Sequence, residues 1–560
     1  MKLLVEDPDT YVELKKDPTT STLKRINTMI GKWVSNDFIQ ENTGKKLKVF
    51  NCNPPRAYGL PKTHKEGIPL RLIVSTIGTA TYKVAKFLAY ILNGIVGKAN
   101  RHVNNSFQFV EEIRRIVPPA ETVLFSLDVV SLFTNVPVDF AIESVELRWA
   151  EVEEHTDIER GSFIEMLNTV LTSTFFQYDE KMYAQKFGVP MGSPLSPVIS
   201  SIALERIENT ALEVLRERGI VPVFFKSYVD DCLVCAKESE QQSILDVFNG
   251  FHQRLQFTIE YEVEGEIKFL DTILRRGQSG ITTEWFPKDE KGRYLDFQSV
   301  SPFSHKKNTV IALVDRAIKL THVDYRQNTL NTVKEMLKIN NYPSQLVFNV
   351  IKDRTHKMYN CLNDEKAEQT KNYITIPYCA GLGEKLSKYF RQYDINVAFK
   401  PLDKIKNKIF TKTKDKISQD KTINVVYEVK CRGCEKSYVG ETSQFFKKRM
   451  NQHKNDVKNK KVGGTGLTQH SVDFGHTFDF DSAQILERVS KYNTRICAEM
   501  FHIKIRGDDQ VVNKQKDSIN FKSAYNSILP KIKTLTDKRK RNTNQNKNNQ
   551  TIICNSTTAR

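Results

Sequence analysis

Short apolar runs broken by turns and acids fill the middle of the chain, and longer periodic stretches flank them. Residues 221–225 and the run Leu233-Val234-Cys235 bracket Ser227-Tyr228-Val229-Asp230-Asp231, which predicts a β-hairpin with two acids at its tip. Val123-Leu124-Phe125-Ser126-Leu127 predicts a strand that ends on Asp128 and lies beside that hairpin. Residues 1 to about 50 read as polar helices, with Asp17-Pro18 as a break and Leu23, Ile26, Met29 and Ile30 as a modest apolar face. Tyr58-Gly59-Leu60-Pro61-Lys62-Thr63-His64-Lys65 reads as a turn and basic hairpin feeding a strand over 69–75, and residues 82–92 read as an apolar helix. Gly188-Val189-Pro190-Met191-Gly192-Ser193-Pro194 predicts a loop that opens a helix over 198–205, because Ser193 and Pro194 suit a helix start.

From residue 371 to 421 the periodicity lapses and lysines accumulate, which predicts a basic linker. Residues 424–429 and 437–442 then predict two strands joined by the turn Cys431-Arg432-Gly433-Cys434. A helix follows with Phe445, Phe446, Arg449 and His453, the last two on one face at a four-residue step, and residues 495–502 predict another helix bearing Glu499. After Asn513 the chain is rich in Lys, Asn and Thr and reads as disordered, its Lys538-Arg539-Lys540-Arg541 cluster suiting nuclear import or a merely solvated tail.

A chain of 560 residues has room for several domains, and its net charge of +18 points to a polyanionic partner, nucleic acid first, although a basic solvated surface carries the same charge. No apolar run approaches the ~18 uncharged residues of a membrane span. Residues 82–96, the most apolar, are interrupted by Lys83 and Lys86, and the first ten residues lack the apolar core of a signal peptide. The expectation is a nuclear or else cytoplasmic protein, not a secreted one, so its nine cysteines read as thiols or metal ligands rather than a disulfide frame.

Asp128, Asp230 and Asp231 are hard oxygen donors suited to magnesium, and two such ions stabilise the attacking and leaving oxygens of a phosphoryl transfer; a lone Asp-Asp is otherwise a solvated turn. Lys62, Lys65 and Arg71 offer charge for a triphosphate, and Gly192 with Ser193 allows close approach of backbone to a ligand. Phe133 is either a ring that crowds the sugar of an incoming nucleotide or a core aromatic. Tyr427, Tyr438, Arg449, His453 and Glu499 would compose a phosphodiester hydrolase in which Tyr or His activates water, Arg stabilises phosphate charge and Glu holds one divalent metal; as isolated residues they are surface and core filler. Cys431, Cys434, His470 and His476 meet zinc's preference for four S and N ligands, the alternative being two thiols and two surface imidazoles. Cys232 and Cys235 share the Cys-x-x-Cys spacing but alternate along a strand, so they read as packing residues.

Taken in order, the basic hairpin with Arg71, Ser126-Leu127-Asp128-Val129-Val130-Ser131-Leu132-Phe133, the Pro190-to-Pro197 loop and Tyr-Val-Asp-Asp resemble the fingers and palm motifs of reverse transcriptases. The wording is closest to Penelope-like retroelements, relatives of telomerase reverse transcriptase, from about residue 3 to about residue 340. Residues 422 to about 510 resemble a GIY-YIG endonuclease with Tyr427 and Tyr438 as its motif tyrosines, although the first motif, Val-Val-Tyr, lacks the glycine.

The resemblance implies an α+β multidomain chain, a right-hand polymerase followed by a small α/β nuclease. Its expected segments are partial fingers (1–115), palm (116–290, within a reverse transcriptase core of about 50–290), thumb (291–370), basic linker (371–421), GIY-YIG endonuclease (422–512) and basic tail (513–560). Asp128, Asp230 and Asp231 would hold two magnesium ions and Glu499 a third. Arg71 would meet the triphosphate, Phe133 would gate the sugar, and Gly192 and its neighbours would support nucleotide and template. The Cys-Cys-His-His set would hold structural zinc, as similar sets do in this family. Residues 267–271 would lie on the primer side. The family's upstream fingers segment precedes the Leu-Val-Glu-Asp-Pro-Asp-Thr-Tyr region, which here begins almost at Met1, so the fingers are expected to be incomplete. The implied function is RNA-directed DNA synthesis from a nick that the nuclease makes, with RNA template, DNA primer, target DNA and deoxynucleoside triphosphates as partners, and oligomeric state open. The alternative is an N-terminally truncated remnant that binds nucleic acid without polymerising, with or without nuclease activity.

Overall fold

β1 (Tyr11–Leu14), β2 (Arg56–Pro61), β3 (Leu70–Ser75), β5 (Phe175–Tyr178) and β6 (Lys181–Gln185) form a sheet in the order β1-β6-β5-β2-β3, with only β2 and β5 parallel. The computed structural model to which they belong describes residues 2–62, 67–287, 293–359, 372–401, 414–461, 463–521, 525–527 and 529–530. It is mixed α+β, as expected, and divides into two units, Met1–Lys48 with Pro54–Asp415, and Val49–Asn53 with Lys416–Arg560.

In the larger unit a second sheet carries the acids. β4 (Thr122–Val129), β7 (Phe224–Tyr228), β8 (Asp231–Lys237) and β9 (Phe257–Tyr261) are antiparallel in the order β7-β8-β4-β9. Leu124, Phe125 and Leu127 of β4 and Cys232, Leu233 and Cys235 of β8 are buried, which explains the apolar runs and makes both cysteines packing residues. The early helical reading holds: α1 (Thr19–Ser35) buries Ile26, Met29, Ile30 and Trp33, and α2 (Tyr82–Leu92) buries Val84, Leu88 and Leu92. Helix α3 (Ser196–Glu217) starts at the expected loop with Pro197 in its first turn but runs well past residue 205, its buried Ile199, Ile202, Ala203, Ile207 and Ala211 keeping a helical period.

β10 (Glu266–Phe269), β11 (Thr272–Gly277) and β12 (Gly280–Trp285) make a small antiparallel sheet. α4 (Phe303–Leu320), α5 (Val323–Ile339) and α6 (Ser344–Tyr359) follow it, and Phe269, Leu274, Trp285, Val314 and Val333 share one core.

The expected linker is partly a folded element. β13 (Asn372–Pro377), α7 (Leu382–Arg391) and β14 (Ile395–Lys400) form a β-α-β unit whose strands pair in parallel, and its lysines had masked the alternation of Ile374, Ile376, Val397 and Phe399 on one face. Residues 402–413 lie outside the described residues.

The smaller unit holds β15 (Val425–Lys430), β16 (Ser437–Thr442) and β17 (Gln484–Arg488) in the antiparallel order β16-β15-β17, with α8 (Phe446–Lys458), α9 (Gly466–Phe474) and α10 (Tyr492–Arg506). The fold continues into the expected tail, because Asn513 bonds the Val439 backbone in both directions (3.0 and 2.7 Å) and ties its segment to β16. Residues 531–560, with the Lys538–Arg541 cluster, lie outside the described residues. No helix among the described residues is long and apolar enough to cross a membrane.

Candidate functional site

The β7–β8 hairpin closes on Val229 and Asp230, between the paired residues Tyr228 and Asp231. Val229 adopts φ 56°, a conformation that costs a β-branched residue about 1–3 kcal/mol and is kept only where surrounding structure enforces it. Asp128 stands directly opposite Asp231 in the β4–β8 register, and the Val129 amide donates to the Asp230 carbonyl at 3.3 Å. Opposed residues of antiparallel strands share a face, so Asp128 and Asp231 project from the same side of the sheet end. Asp128 is exposed and Asp230 and Asp231 are half-buried. Three carboxylates on backbone anchored by a strand ladder suit a hard divalent cation such as magnesium.

Beneath the hairpin lies a network that sequence inspection missed. Glu208 of α3, only 3% exposed, accepts from the Arg101 guanidinium at 2.7 Å and from the Ser227 hydroxyl at 3.2 Å. The Ser227 amide donates to the Arg101 carbonyl and the Val103 amide to the Ser227 carbonyl, both at 2.9 Å, so residues 101–103 run along the edge of β7. Burial raises the Glu208 carboxyl pKa and the Arg101 charge opposes that rise. Helical spacing would have put Glu208 on the buried stripe of α3, but its partner is far away in sequence.

Gly192 has φ 122°, and a Cβ there would collide with the Val74 carbonyl. The Met191 carbonyl accepts from the Val74 amide at 2.8 Å and the Gly192 carbonyl from the Thr76 hydroxyl at 3.0 Å. The close approach expected of Gly192 is therefore to the chain's own β3, the strand that carries Arg71. Ser193 is buried and its hydroxyl accepts from the Leu195 amide at 3.3 Å. Phe133 is half-buried after β4, its carbonyl accepting from Val189 at 2.7 Å, so the loop is fastened to both the Phe133 turn and β3. Arg71 is exposed and Lys62 half-buried, neither in an ion pair among the described residues, and Lys65 lies outside those residues.

In the smaller unit the five expected residues converge. Tyr427 is fully buried, its hydroxyl 2.7 Å from His453 Nε2 and accepting from Arg449 Nε at 3.2 Å. The Tyr438 ring lies 5.4 Å from the His453 ring and 6.4 Å from that of Tyr427. Burial, with help from the Arg449 charge, lowers the His453 pKa to about 3, so the imidazole is neutral. Burial also raises both tyrosine pKa values. Burial, then the charges of Glu441 and Asp517, pushes Glu499 up to about 8. Glu441, which was not singled out from sequence, is held by the almost fully buried Arg495 at 2.5 Å. A Cβ on Gly440 would fall 2.7 Å from the Tyr427 hydroxyl oxygen, so the glycine makes room for the phenol.

Cys431, Cys434, His470 and His476 also come together, one donor atom of each within 4.8 Å of the others. Cys431 Sγ lies 3.6 Å from both His470 Nε2 and His476 Nδ1, Cys434 Sγ 3.5 Å from His470 Nε2, and the two nitrogens 3.1 Å apart. A tetrahedron with Zn–S of about 2.3 Å and Zn–N of about 2.05 Å has S–N edges of about 3.6 Å and an N–N edge of about 3.3 Å. The donor set and its edges fit zinc. Burial lowers the His470 pKa, which favours the neutral imidazole a metal requires.

Residues 64–262 match the reverse transcriptase (RNA-dependent DNA polymerase) family model, and residues 293–352 match the animal helix-turn-helix domain. The chain thus carries a reverse transcriptase domain that includes all three aspartates. A comparison with curated proteins finds no match. Among solved structures, telomerase from Candida albicans in complex with a TWJ fragment of telomeric RNA is 10% identical at a TM-score of 0.41, with 64% of this chain and 68% of that one covered. Apo telomerase from Candida tropicalis is 12% identical at 0.33, over 62% of this chain and 65% of that one. The BmCPV RNA-dependent RNA polymerase at its elongation state is 12% identical at 0.34, over 59% and 30%, so the chain spans less than two thirds of the latter two proteins. TM-scores in this range do not establish a common fold.

Proposed function

We propose that the chain is an RNA-directed DNA polymerase joined to a DNA-nicking endonuclease of the GIY-YIG type, as in Penelope-like retroelements, and that it copies RNA from a 3′-hydroxyl generated in chromosomal DNA. The observation that carries the reading is the pairing of Asp128 with Asp231 at the tip of a strained hairpin, inside the segment that matches the reverse transcriptase family. Asp128, Asp230 and Asp231 would hold magnesium, which supplies charge stabilisation for attacking and leaving oxygens when bound. The chain's own part is positioning. The β4–β8 ladder fixes the spacing of the carboxylates, and the Glu208–Arg101–Ser227 network holds the base of the hairpin against α3. Phe133, fastened to the loop after Gly188, would limit the sugar, and Arg71 on β3 would meet the triphosphate. The helix-turn-helix match over α4, α5 and part of α6 supports a nucleic-acid-contacting thumb.

In the smaller unit, neutral His453 is the acceptor for the Tyr427 phenolic proton, Arg449 offers charge to a phosphodiester, and Glu499 is the carboxylate for one divalent metal. The Cys431, Cys434, His470 and His476 tetrahedron would be a structural zinc site at the turn following β15. Such an enzyme works where chromosomal DNA is, in the nucleus.

The test is a joined-product assay with supercoiled plasmid, RNA template, magnesium and deoxynucleotides. The proposal expects complementary DNA covalently attached to plasmid, lost both in Asp230→Asn/Asp231→Asn and in Tyr427→Phe/Glu499→Gln. Nicking without attached product, or neither activity in the intact protein, contradicts it.

A further inference from the structure

The β13-α7-β14 unit is folded, yet neither the polymerase nor the nuclease reading uses it. Its interior is accounted for. Phe399 packs on Tyr378 with ring centroids 5.4 Å apart, and Gly383 fits between them, an added Cβ falling 3.1 Å from each ring. Glu384, the only acid of α7, is exposed but engaged within the unit, one carboxylate oxygen accepting from the Tyr378 hydroxyl at 2.6 Å and the other from the Gly381 amide at 2.8 Å. The outer side of α7 is left cationic. Lys385 and Lys388 are exposed and have no ion-pair partner among the described residues.

Lys385, Tyr389 and Tyr393 recur at steps of four, so they follow one flank of the helix and its exit, with Lys388 beside them. Tyr389 is 54% exposed and Tyr393 60%, their ring centroids 5.4 Å apart. An isolated exposed tyrosine means little. Two in contact, next to two unneutralised ammonium groups, make a surface with π-faces for unpaired bases and charge for their phosphates.

We propose that this flank of α7 binds single-stranded nucleic acid without sequence readout. Base pairs hide the faces that tyrosines stack on, so a duplex would gain from the lysines alone, whereas a single strand gains from both. The site rests on the polymerase reading only for its purpose, since an RNA template must reach a polymerase unpaired.

The experiment measures binding of a fluorescein-labelled oligo(U) RNA to the full-length protein over a range of salt, with ultraviolet cross-links mapped by mass spectrometry. Cross-links are expected on the peptide containing Tyr389 and Tyr393. Tyr389→Ala with Tyr393→Ala should weaken oligo(U) binding by about tenfold, while the Tyr→Phe pair keeps wild-type affinity because stacking needs the ring and not the hydroxyl. Lys385→Gln with Lys388→Gln should flatten the log–log salt dependence by about 1.4, two contacts at ~0.7 each. Duplex DNA binding and extension of a short preformed primer–template should stay at the wild-type level in the tyrosine variants. Unchanged oligo(U) affinity in the alanine pair, cross-links confined elsewhere, or a change in oligomeric state alone overturns the proposal, the last in favour of a protein contact. Equal loss of duplex binding overturns it as general damage. If the wild type binds oligo(U) here yet extends no primer, the polymerase reading fails and this site stands.

Discussion

Glu499 shows how one half-buried carboxyl sets the behaviour of a site. Burial and the neighbouring acids Glu441 and Asp517 keep it protonated up to a pH of about 8, against an ordinary value of 4.5. A raised carboxyl pKa means that its burial is harmless at low pH and increasingly destabilises the cation-free unit as pH climbs from 4.5 towards 8. A divalent cation held by Glu499, as proposed, would have to displace that proton. Magnesium affinity of the nuclease unit should therefore rise about tenfold per pH unit up to about 8 and level off above it, as read by calorimetric titration, and Glu499→Gln should remove both the affinity and its slope. A flat affinity across neutral pH would mean that Glu499 is not the ligand. The tyrosines, Arg449, His453 and this glutamate were legible because short motifs put each on a recognisable strand or helix. Glu441 was not, because its partner Arg495 is brought to it only by the packing of α10 against the sheet.

At the scale of elements, two devices fix sites in place. Glu208 and Arg101 clamp the base of the acidic hairpin, and Glu208→Leu, which leaves the half-buried Arg101 only Asn209 and the Glu205 carbonyl and removes the acceptor of the Ser227 hydroxyl, should cost about 1–3 kcal/mol in unfolding experiments. Glu208→Gln keeps hydrogen-bonding capacity and should fold, but with the hairpin less firmly held its kcat for extension should fall on the order of tenfold while KM for nucleotide stays near wild type. Full kcat with only a lower Tm would make the pair purely structural. The second device is the Cys431, Cys434, His470 and His476 tetrahedron. Purified protein should contain one zinc per chain, and a chelator should lower the melting transition of the smaller unit by roughly 10 °C or more. Absence of metal, or a melting curve indifferent to chelation, would leave four residues that merely pack.

The elements themselves were unevenly legible. The hairpin, the strand before Asp128 and the helix after the Pro190-to-Pro197 loop follow directly from apolar period and turn residues. The β13-α7-β14 unit did not, since its strands are half-buried and its lysines sit among the core residues in sequence while lying outside them in space. Asn513, in a segment of disordered composition, is ordered by the Val439 backbone on β16 and by Asp517, next to the pairing of Gln510 and Val512 with Ser437.

Across the whole molecule the net charge of +18 suits the polyanionic partners of the proposed polymerase and nuclease. The three aspartates of the proposed polymerase site lie in the matched reverse transcriptase segment, and the ladder holds Asp128 opposite Asp231. Intact aspartates favour a working polymerase over a remnant. The most direct test is primer extension by the full-length protein on an RNA template with magnesium and deoxynucleotides, beside Asp230→Asn/Asp231→Asn. Extension that the double substitution abolishes, with template and primer binding unchanged, is the predicted result. Wild-type protein that binds template and primer but adds no nucleotide would contradict the account and leave the larger unit a nucleic-acid-binding scaffold.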